Sequence, residues 1–389
     1  MSIIFVFYKY LNINRPNIVI IMVDDLGFSD LGSYGGEIST PNIDKLANSG
    51  LRYINFYNTG RCWPTRASLL SGHYPQKINR DIYTEKSISE SENNPFGIRP
   101  QWAKLLPYYL EKEGYINIFS GKWHIDGDPY DNNFNFSYQL KDHDRYFNPK
   151  FHTEHGIQLE PIQGDENYYS TVEITSNALS YINEYYEKKN TNPFFLYLAY
   201  TAPHFPLQAL EEDIEVYAGK YKKGWDEIRV QRYENQKRLG IIKSSLSEID
   251  RTEKPPYIFE DAYQSLGKSE INQALSWNSL NEDQKNFQQK KMEIYAAMIN
   301  RIDKEIGRLI FDLDKKKLLN DTIIIFLSDN GSSSEIMIRG DGHAKNANYG
   351  SQDSFLSLGP GWSSVANTPF RKHKTWVHEG GIATPFIVN

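Results

Sequence analysis

Four short apolar runs, each breaking off into polar residues, constrain this chain's fold more than any other feature. Ile18–Val23 runs into Asp24-Asp25, and Tyr115–Phe119 runs into Ser120-Gly121-Lys122-Trp123-His124. Pro193–Ala199 runs into Tyr200-Thr201-Ala202-Pro203-His204, and Thr322–Leu327 runs into Ser328-Asp329-Asn330-Gly331. The apolarity is continuous rather than alternating. A strand buried on both faces requires that, as in a parallel sheet covered by helices.

Helical patterns lie between the runs. Thr40-Pro41, then Ile43, Leu46 and Ala47, closed by Gly50, reads as N-cap, first-turn proline, apolar face and C-cap. Further helices are predicted over Leu106–Glu113, Thr171–Lys188 and Asp283–Leu313. In the last, Met292, Tyr295, Ala296, Ile299, Ile302 and Ile306 fall near helical spacing. Strands alternating with helices predict an α/β fold with a mostly parallel central sheet flanked by helices. Residues 205–282 are rich in Tyr, Glu, Lys and Asn and weakly periodic. They read as an excursion over the sheet, helical near Trp225–Leu239 and part of a substrate wall.

Composition removes several function classes. The net charge of −6, with no basic stripe, argues against a nucleic-acid binder. No run reaches the roughly 18–20 apolar residues of a membrane span. The N-terminal Ser2–Tyr8 is apolar but lacks a basic n-region and a small-residue cleavage site, so it reads as a leader remnant or an extra strand. The single cysteine allows no intrachain disulfide. Most of the 27 tyrosines are expected in the core and along the long helices, rather than as platforms for sugar rings.

In parallel sheets, ligands collect beyond the carboxyl ends of the strands. Each of the four runs places its polar residues there. If the first and last runs are neighbouring strands, Asp24, Asp25, Asp329 and Asn330 meet at one point. Crowded carboxylates repel unless a cation neutralises them, and all-oxygen ligation suits Ca²⁺ or Mg²⁺. Taken singly, either pair reads as a polar strand-end turn.

Cys62 sits in Cys62-Trp63-Pro64-Thr65-Arg66-Ala67-Ser68-Leu69-Leu70-Ser71-Gly72. Pro64 suits the first turn of a helix and Gly72 its close. The thiol is then expected at the positive helix end beside Arg66, exposed, in surroundings that favour anions. Lys122 and His124 leave their strand together, and alternation along an extended segment predicts that both point to one side. His204 ends another strand after Pro203, and Lys374 precedes Gly380-Gly381. Each is unremarkable alone. Meeting at one sheet edge, they would line an anion pocket with cations. His152 and His155 form a His-X-X-His spacing, but a loop setting with no cysteine nearby marks them as surface residues.

These residues resemble the sulfatase family. Cys62-Trp63-Pro64-Thr65-Arg66, with Leu70 and Gly72, is similar to the family's Cys-X-Pro-Ser-Arg signature, with Thr65 in place of Ser. The likeness continues in Asn17–Gly27, Gly121–His124, Ala202-Pro203-His204, Ser328–Gly331 and Trp376–Gly381, in the family's order along nearly the whole chain. The arylsulfatase branch is the nearest in appearance. The resemblance implies a sulfatase or alkaline-phosphatase-like fold. It also implies removal of sulfate from an aryl sulfate or a sulfated carbohydrate.

The family's roles carry over by position. Asp24, Asp25, Asp329 and Asn330, with residue 62, are expected to hold a divalent ion, Ca²⁺ rather than Mg²⁺. Cys62 is expected to be oxidised to formylglycine by a formylglycine-generating enzyme. The hydrated aldehyde attacks sulfur, with Arg66 and Lys122 stabilising the oxyanion. Lys374 and His204 bind the sulfate oxygens, and one of them protonates the leaving alcohol. His124 takes the proton of the second hydroxyl as sulfate is expelled.

The resemblance also implies export to a periplasmic or extracellular compartment, without a clear signal sequence here. Residues 1–15 read as an N-terminal extension or leader remnant. Residues 16–389 read as the catalytic domain, truncated at the C-terminus, because the smaller C-terminal domain usual in the family is absent. Asn132-Asn133-Phe134 and Leu140-Lys141-Asp142-His143-Asp144 depart from the family's common pattern in loops that contribute to substrate binding. Two alternatives stand beside the sulfatase reading. One is a phosphonate or phosphate ester hydrolase of the same superfamily, and the other is an inactive, truncated sulfatase-like binding protein.

Overall fold

The computed structural model describes residues 15–82, 97–165, 167–188, 191–255 and 259–389. The apolar Ser2–Tyr8 segment lies outside the described residues. The strands are β1 (Asn17–Val23), β2 (Leu51–Tyr53), β3 (Ile116–Gly121), β4 (Phe136–Leu140), β5 (His152–Glu154), β6 (Ile157–Gln158), β7 (Phe194–Ala199), β8 (Thr322–Ser328) and β9 (Phe386–Val388). They form one sheet in the order β2-β9-β8-β1-β7-β3-β4-β5-β6. The four apolar runs are its contiguous centre, and β8, β1, β7, β3 and β4 pair in parallel. Both edges are antiparallel: β9 on β8 and β2 on β9 at one side, β5 on β4 and β6 on β5 at the other.

Continuous apolarity has the predicted cause. Along β1, Val19, Ile21 and Val23 enter one core, and Ile20 and Met22 enter the core on the opposite face. Along β7, Phe194, Leu196 and Leu198 face the first core, and Phe195, Tyr197 and Ala199 the second. Burying one such side chain stabilises the fold by roughly 1.5–3 kcal/mol, and the polar residues that do enter the central strands, such as Asn117 and Ser120 on β3, are hydrogen-bonded.

The helices are α1 (Pro41–Ser49), α2 (Cys62–Ser71), α3 (Leu106–Lys112), α4 (Ser170–Glu187), α5 (Glu211–Glu215), α6 (Gly224–Arg238), α7 (Glu260–Leu266), α8 (Glu282–Lys315), α9 (Gly359–Ala366) and α10 (Glu379–Ile382). The first core is covered by α1, α4 and α8, and the second by α2 through Ala67 and Leu70. Helix α8 starts in a capping box: Asn281 Oδ1 accepts from Gln284 N at 2.9 Å, and Gln284 Oε1 accepts from Asn281 N at 3.1 Å. The 205–282 excursion contains α6 at nearly the predicted position.

One histidine expectation fails. His152 is 3% exposed on β5, its ring nitrogens reaching Glu160 O at 2.8 Å and the Tyr138 hydroxyl at 3.3 Å. It is a satisfied core histidine, because the antiparallel edge hairpin folds a supposed loop onto the sheet. No helix among the described residues is long and apolar enough to cross a membrane.

Candidate active site

The register of β1 on β8 sets Val23 against Ser328, so Asp24-Asp25 and Asp329-Asn330 emerge side by side. All four are buried. Asp25 turns away from the strand direction at φ 66° and receives Asn330 Nδ2 on its Oδ1 at 2.6 Å. Gly331 must follow without a side chain, since a Cβ there would lie 1.9 Å from Gly380 O.

Buried cations interleave with these carboxylates. Arg66, from the second turn of α2, donates Nε to Asp329 Oδ2 at 2.9 Å and Nη2 to Asp24 Oδ2 at 3.3 Å. Lys122 Nζ lies 2.5 Å from Asp24 Oδ2. Lys374 Nζ contacts both oxygens of Asp25, at 2.8 and 3.0 Å. Burial would raise the Asp24 carboxyl, but Lys122, Arg66 and Lys374 together hold it far below the usual carboxylate range. Asp25 goes the other way. Burial, opposed by Lys374 and reinforced by Asp24 and Asp329, pushes it up to about 7. Burial and Asp24 also raise Asp329. Three carboxylates meet three cations here, yet burial and mutual crowding still leave Asp25 and Asp329 raised.

Hydrogen bonding, by contrast, is left incomplete. Asp24 Oδ1 and Asn330 Oδ1 are buried with no hydrogen-bond partner among the described residues. Such orphans cost roughly 1–3 kcal/mol each unless something fills the gap. Ligand atoms of Asp24, Asp25 and Cys62 lie within 4.8 Å of one another. The donor set therefore fits a divalent cation.

Cys62 opens α2, with Gly72 closing the helix at φ 70° as predicted. The expectation of an exposed, anion-favouring thiol is corrected. Cys62 is 3% exposed, and burial pushes its thiol up to about 11 against the opposing pull of Lys374 and Lys122. Desolvation outweighs the helix end. The thiol is not a ready thiolate, yet it lines the pocket.

That pocket, about 610 Å³, is bounded by Cys62, His124, His204 and Lys374 among the predicted residues. Asp24, Asp25, Arg66, Lys122, Asp329 and Asn330 lie buried beneath it, so the predicted cluster divides into a floor and a wall. Lys122 and His124 do share the site, but not by alternation. Strand β3 ends at Gly121, where a Cβ would lie 1.9 Å from Ala199 O, and His124 adopts φ 55°. The turn, rather than the strand, aims the imidazole. His204 Nδ1 donates to Phe205 O at 2.6 Å, and its Nε2 stands 3.8 Å from Asp25 Oδ2. Burial, with Lys122 and His143 beside it, lowers His124 well below the usual imidazole range. Burial and Lys374 do the same to His204. Burial would lower Lys374, but Asp25, Cys62, Glu335 and Asp24 together raise it well above the usual range, so it keeps its charge.

Sequence reasoning missed part of the wall. His143 lies between His124 and His204, with ring centroids 5.5 and 5.9 Å away. Asp144, Glu335 and Arg339 also line the pocket, as do Arg61 and Trp63, stacked with 4.7 Å from guanidinium to ring centroid. The departure at Leu140–Asp144 from the family pattern marked His143 and Asp144 as substrate-loop residues. Glu335 and Arg339 carried no motif; only their position just beyond the β8 carboxyl end could have flagged them.

Comparison with known proteins agrees with this geometry. A family model described as Sulfatase matches residues 16–389. An uncharacterized sulfatase of Schizosaccharomyces pombe is 31% identical over 98% of this chain and 71% of its own length. The arylsulfatase of Klebsiella aerogenes is 30% identical over 96% of this chain and 81% of its own. The crystal structure of Ps i-CgsB in complex with k-i-k-neocarrahexaose shares the fold, with TM-score 0.61 and 24% identity over 96% of this chain. This chain spans 66% of that protein's length.

Proposed function

This chain belongs to the sulfatase family, and from that premise we propose that it removes sulfate from an organic sulfate ester in the pocket above Cys62. The observation that carries the proposal is the unfinished floor: buried carboxylates with three buried cations, yet Asp24 Oδ1 and Asn330 Oδ1 still without partners among the described residues. Asp24, Asp25, Asp329 and Asn330, with residue 62, would hold a divalent cation. Oxygen donors suit a hard cation, and of the two we assign Ca²⁺, whose coordination is the more adaptable, rather than Mg²⁺, which demands near-ideal octahedral geometry. When bound, the ion supplies Lewis-acid polarisation of an oxygen on residue 62. Cys62 is the position we assign to formylglycine, whose hydrate supplies a nucleophilic hydroxyl and a second hydroxyl for release of sulfate.

The chain's other residues have separable tasks. Lys374 presents a retained positive charge to the sulfate oxygens on the pocket wall. A carbonyl only accepts, so the contact to Phe205 O fixes the His204 proton on Nδ1 and leaves the Nε2 lone pair facing Asp25 and the pocket. In that state Lys374, not neutral His204, holds the proton available to the leaving alcohol. His124, kept neutral by burial beside Lys122, is suited to accept a proton from residue 62. Arg66 and Lys122 sit on Asp24 and Asp329 rather than on the cavity surface, so they hold the floor's carboxylates in place.

The test is a paired assay on protein matured with a formylglycine-generating enzyme, using 4-nitrophenyl sulfate and a phenyl phosphonate monoester. The proposal expects turnover of the sulfate ester in preference to the phosphonate. Preference for the phosphonate would move the chain to phosphonate hydrolysis. No turnover of either, with the aldehyde present, would make it a binding protein.

A further inference from the structure

Above the floor, the pocket wall carries polar groups that a sulfate does not use. Asp144, in the turn after β4, and Arg339, in the loop after β8, meet at 3.5 Å between Oδ2 and Nε. Glu335 and Arg61 meet at 3.7 Å. All four side chains line the cavity together with His143.

The Asp144–Arg339 pair is loosely closed. Asp144 Oδ1 is buried without a partner among the described residues. The Arg339 guanidinium lies 5.1 Å from the centre of the Phe205 ring, and its side chain is 44% exposed. An acceptor and a donor held side by side complement a sugar hydroxyl, which both donates and accepts. A plain aryl sulfate offers no hydroxyl to them.

The charges on this wall also cancel. Asp144 offsets Arg339, Glu335 offsets Arg61, and Lys374, paired with Asp25, is the charge already assigned to the ester sulfate itself. Among the described residues, no further cation lines the wall to hold a second sulfate or a carboxylate, and Asp144 and Glu335 would repel one. Phe205 and Phe259 supply apolar surface beside these pairs, as the face of a sugar ring requires.

We propose that Asp144 and Arg339 are specificity-determining residues that bind ring hydroxyls beside the ester, and that the substrate class is a sugar carrying a single sulfate and no other charge. This rests on the reading of the pocket as a sulfatase active site. A site built to hydrogen-bond a hydroxyl discriminates strongly against a substrate that lacks it. The guanidinium fork is not replaced by an ammonium, so Arg339→Lys tests geometry without removing charge.

The experiment measures kcat/KM of the aldehyde-bearing enzyme on galactose monosulfated at each hydroxyl in turn, on a galactose disulfate and on 4-nitrophenyl sulfate. Asp144→Asn and Arg339→Lys are compared with the parent. The expected result is turnover of at least one monosulfate in preference to the disulfate. In both variants the ratio of sugar-sulfate to aryl-sulfate kcat/KM should fall about tenfold or more. The ratio uses aryl turnover as its own control for folding and maturation. The inference is overturned by a ratio that neither variant moves, by preference for the disulfate, or by aryl turnover without turnover of any monosulfate. No turnover of any ester by the aldehyde-bearing parent would instead sink the sulfatase reading, and this inference with it.

Discussion

Two ionic clusters sit close together in this molecule, and they are built differently. Around Arg232 every bond is closed. Its Nη1 donates to Asp30 Oδ1 at 2.6 Å, and its Nε and Nη2 donate to the two oxygens of Glu37 at 2.7 and 2.9 Å. Gly27 N and the Tyr295 hydroxyl complete Asp30, and the Tyr221 hydroxyl completes Glu37. At the ends of β1 and β8, three cations serve three carboxylates, and two oxygens still lack partners among the described residues. Burial raises the carboxyls of both Asp30 and Asp25, so desolvation does not separate the clusters. Satisfaction does. The Arg232 cluster is a finished piece of scaffold, whereas the strand-end cluster leaves two buried oxygen acceptors open among the described residues. The Tyr295 hydroxyl also reaches Asp25 O at 3.2 Å, so the closed cluster braces the open one.

Substitutions can break this contrast or sharpen it. The largest effect is expected at Cys62. In the mechanism we propose, sulfate release needs two hydroxyls on one carbon, so Cys62→Ala and Cys62→Ser should both abolish sulfate ester turnover. Thermal denaturation should register only a small shift, and full activity in Cys62→Ala would end the mechanism. Arg232→Met comes next. Removing one partner from a buried ion pair strands the others, so a loss of about 3–5 kcal/mol in denaturant unfolding is expected, and the gap from the parent should stay the same when Ca²⁺ is added to both. A smaller loss, about 1–2 kcal/mol, is expected for Asp303→Ala, again read by denaturant. Asp303, on α8, caps the start of α1 from outside, accepting from Ile43 N at 2.8 Å and Asn42 N at 3.3 Å. The smallest change in metal-free stability, about 1 kcal/mol, is expected for Asn330→Ala, in which hydrogen bonds to Asp25 and Gly331 are lost. Yet this variant should lose the response to Ca²⁺ that the two scaffold variants keep. Equal responses in all three would erase the distinction between the clusters.

Much of this was legible in the sequence because strand ends are local events. A run such as Ile18–Val23 is apolar on both faces for one reason, double burial, and the Asp24-Asp25 that follows must then sit at the sheet's carboxyl edge. The pairing of β1 with β8 is a long-range event that the local pattern allows but does not dictate, and the register of Val23 on Ser328 brings the two strand ends together. What escaped was set by long-range packing. The burial of Cys62 depends on what covers the start of α2, not on Pro64 or Arg66. His152 looked like a loop residue because nothing local announces that β5 and β6 fold back against β4. Glu335 and Arg339 are single charges in an irregular segment, and only the tertiary fold brings them opposite Arg61 and Asp144.

The claim that the strand-end cluster is completed by a divalent ion is tested most directly by unfolding metal-stripped protein with and without Ca²⁺, beside Asn330→Ala. Ligand binding to the native state alone stabilises by about 2.7 kcal/mol when the ion is present at a hundredfold excess over its Kd. The account predicts a saturable rise of that order in the parent protein, lost in Asn330→Ala and insensitive to the presence of substrate. A parent protein whose unfolding ignores both Ca²⁺ and Mg²⁺, or an Asn330→Ala protein that responds as the parent does, would contradict it.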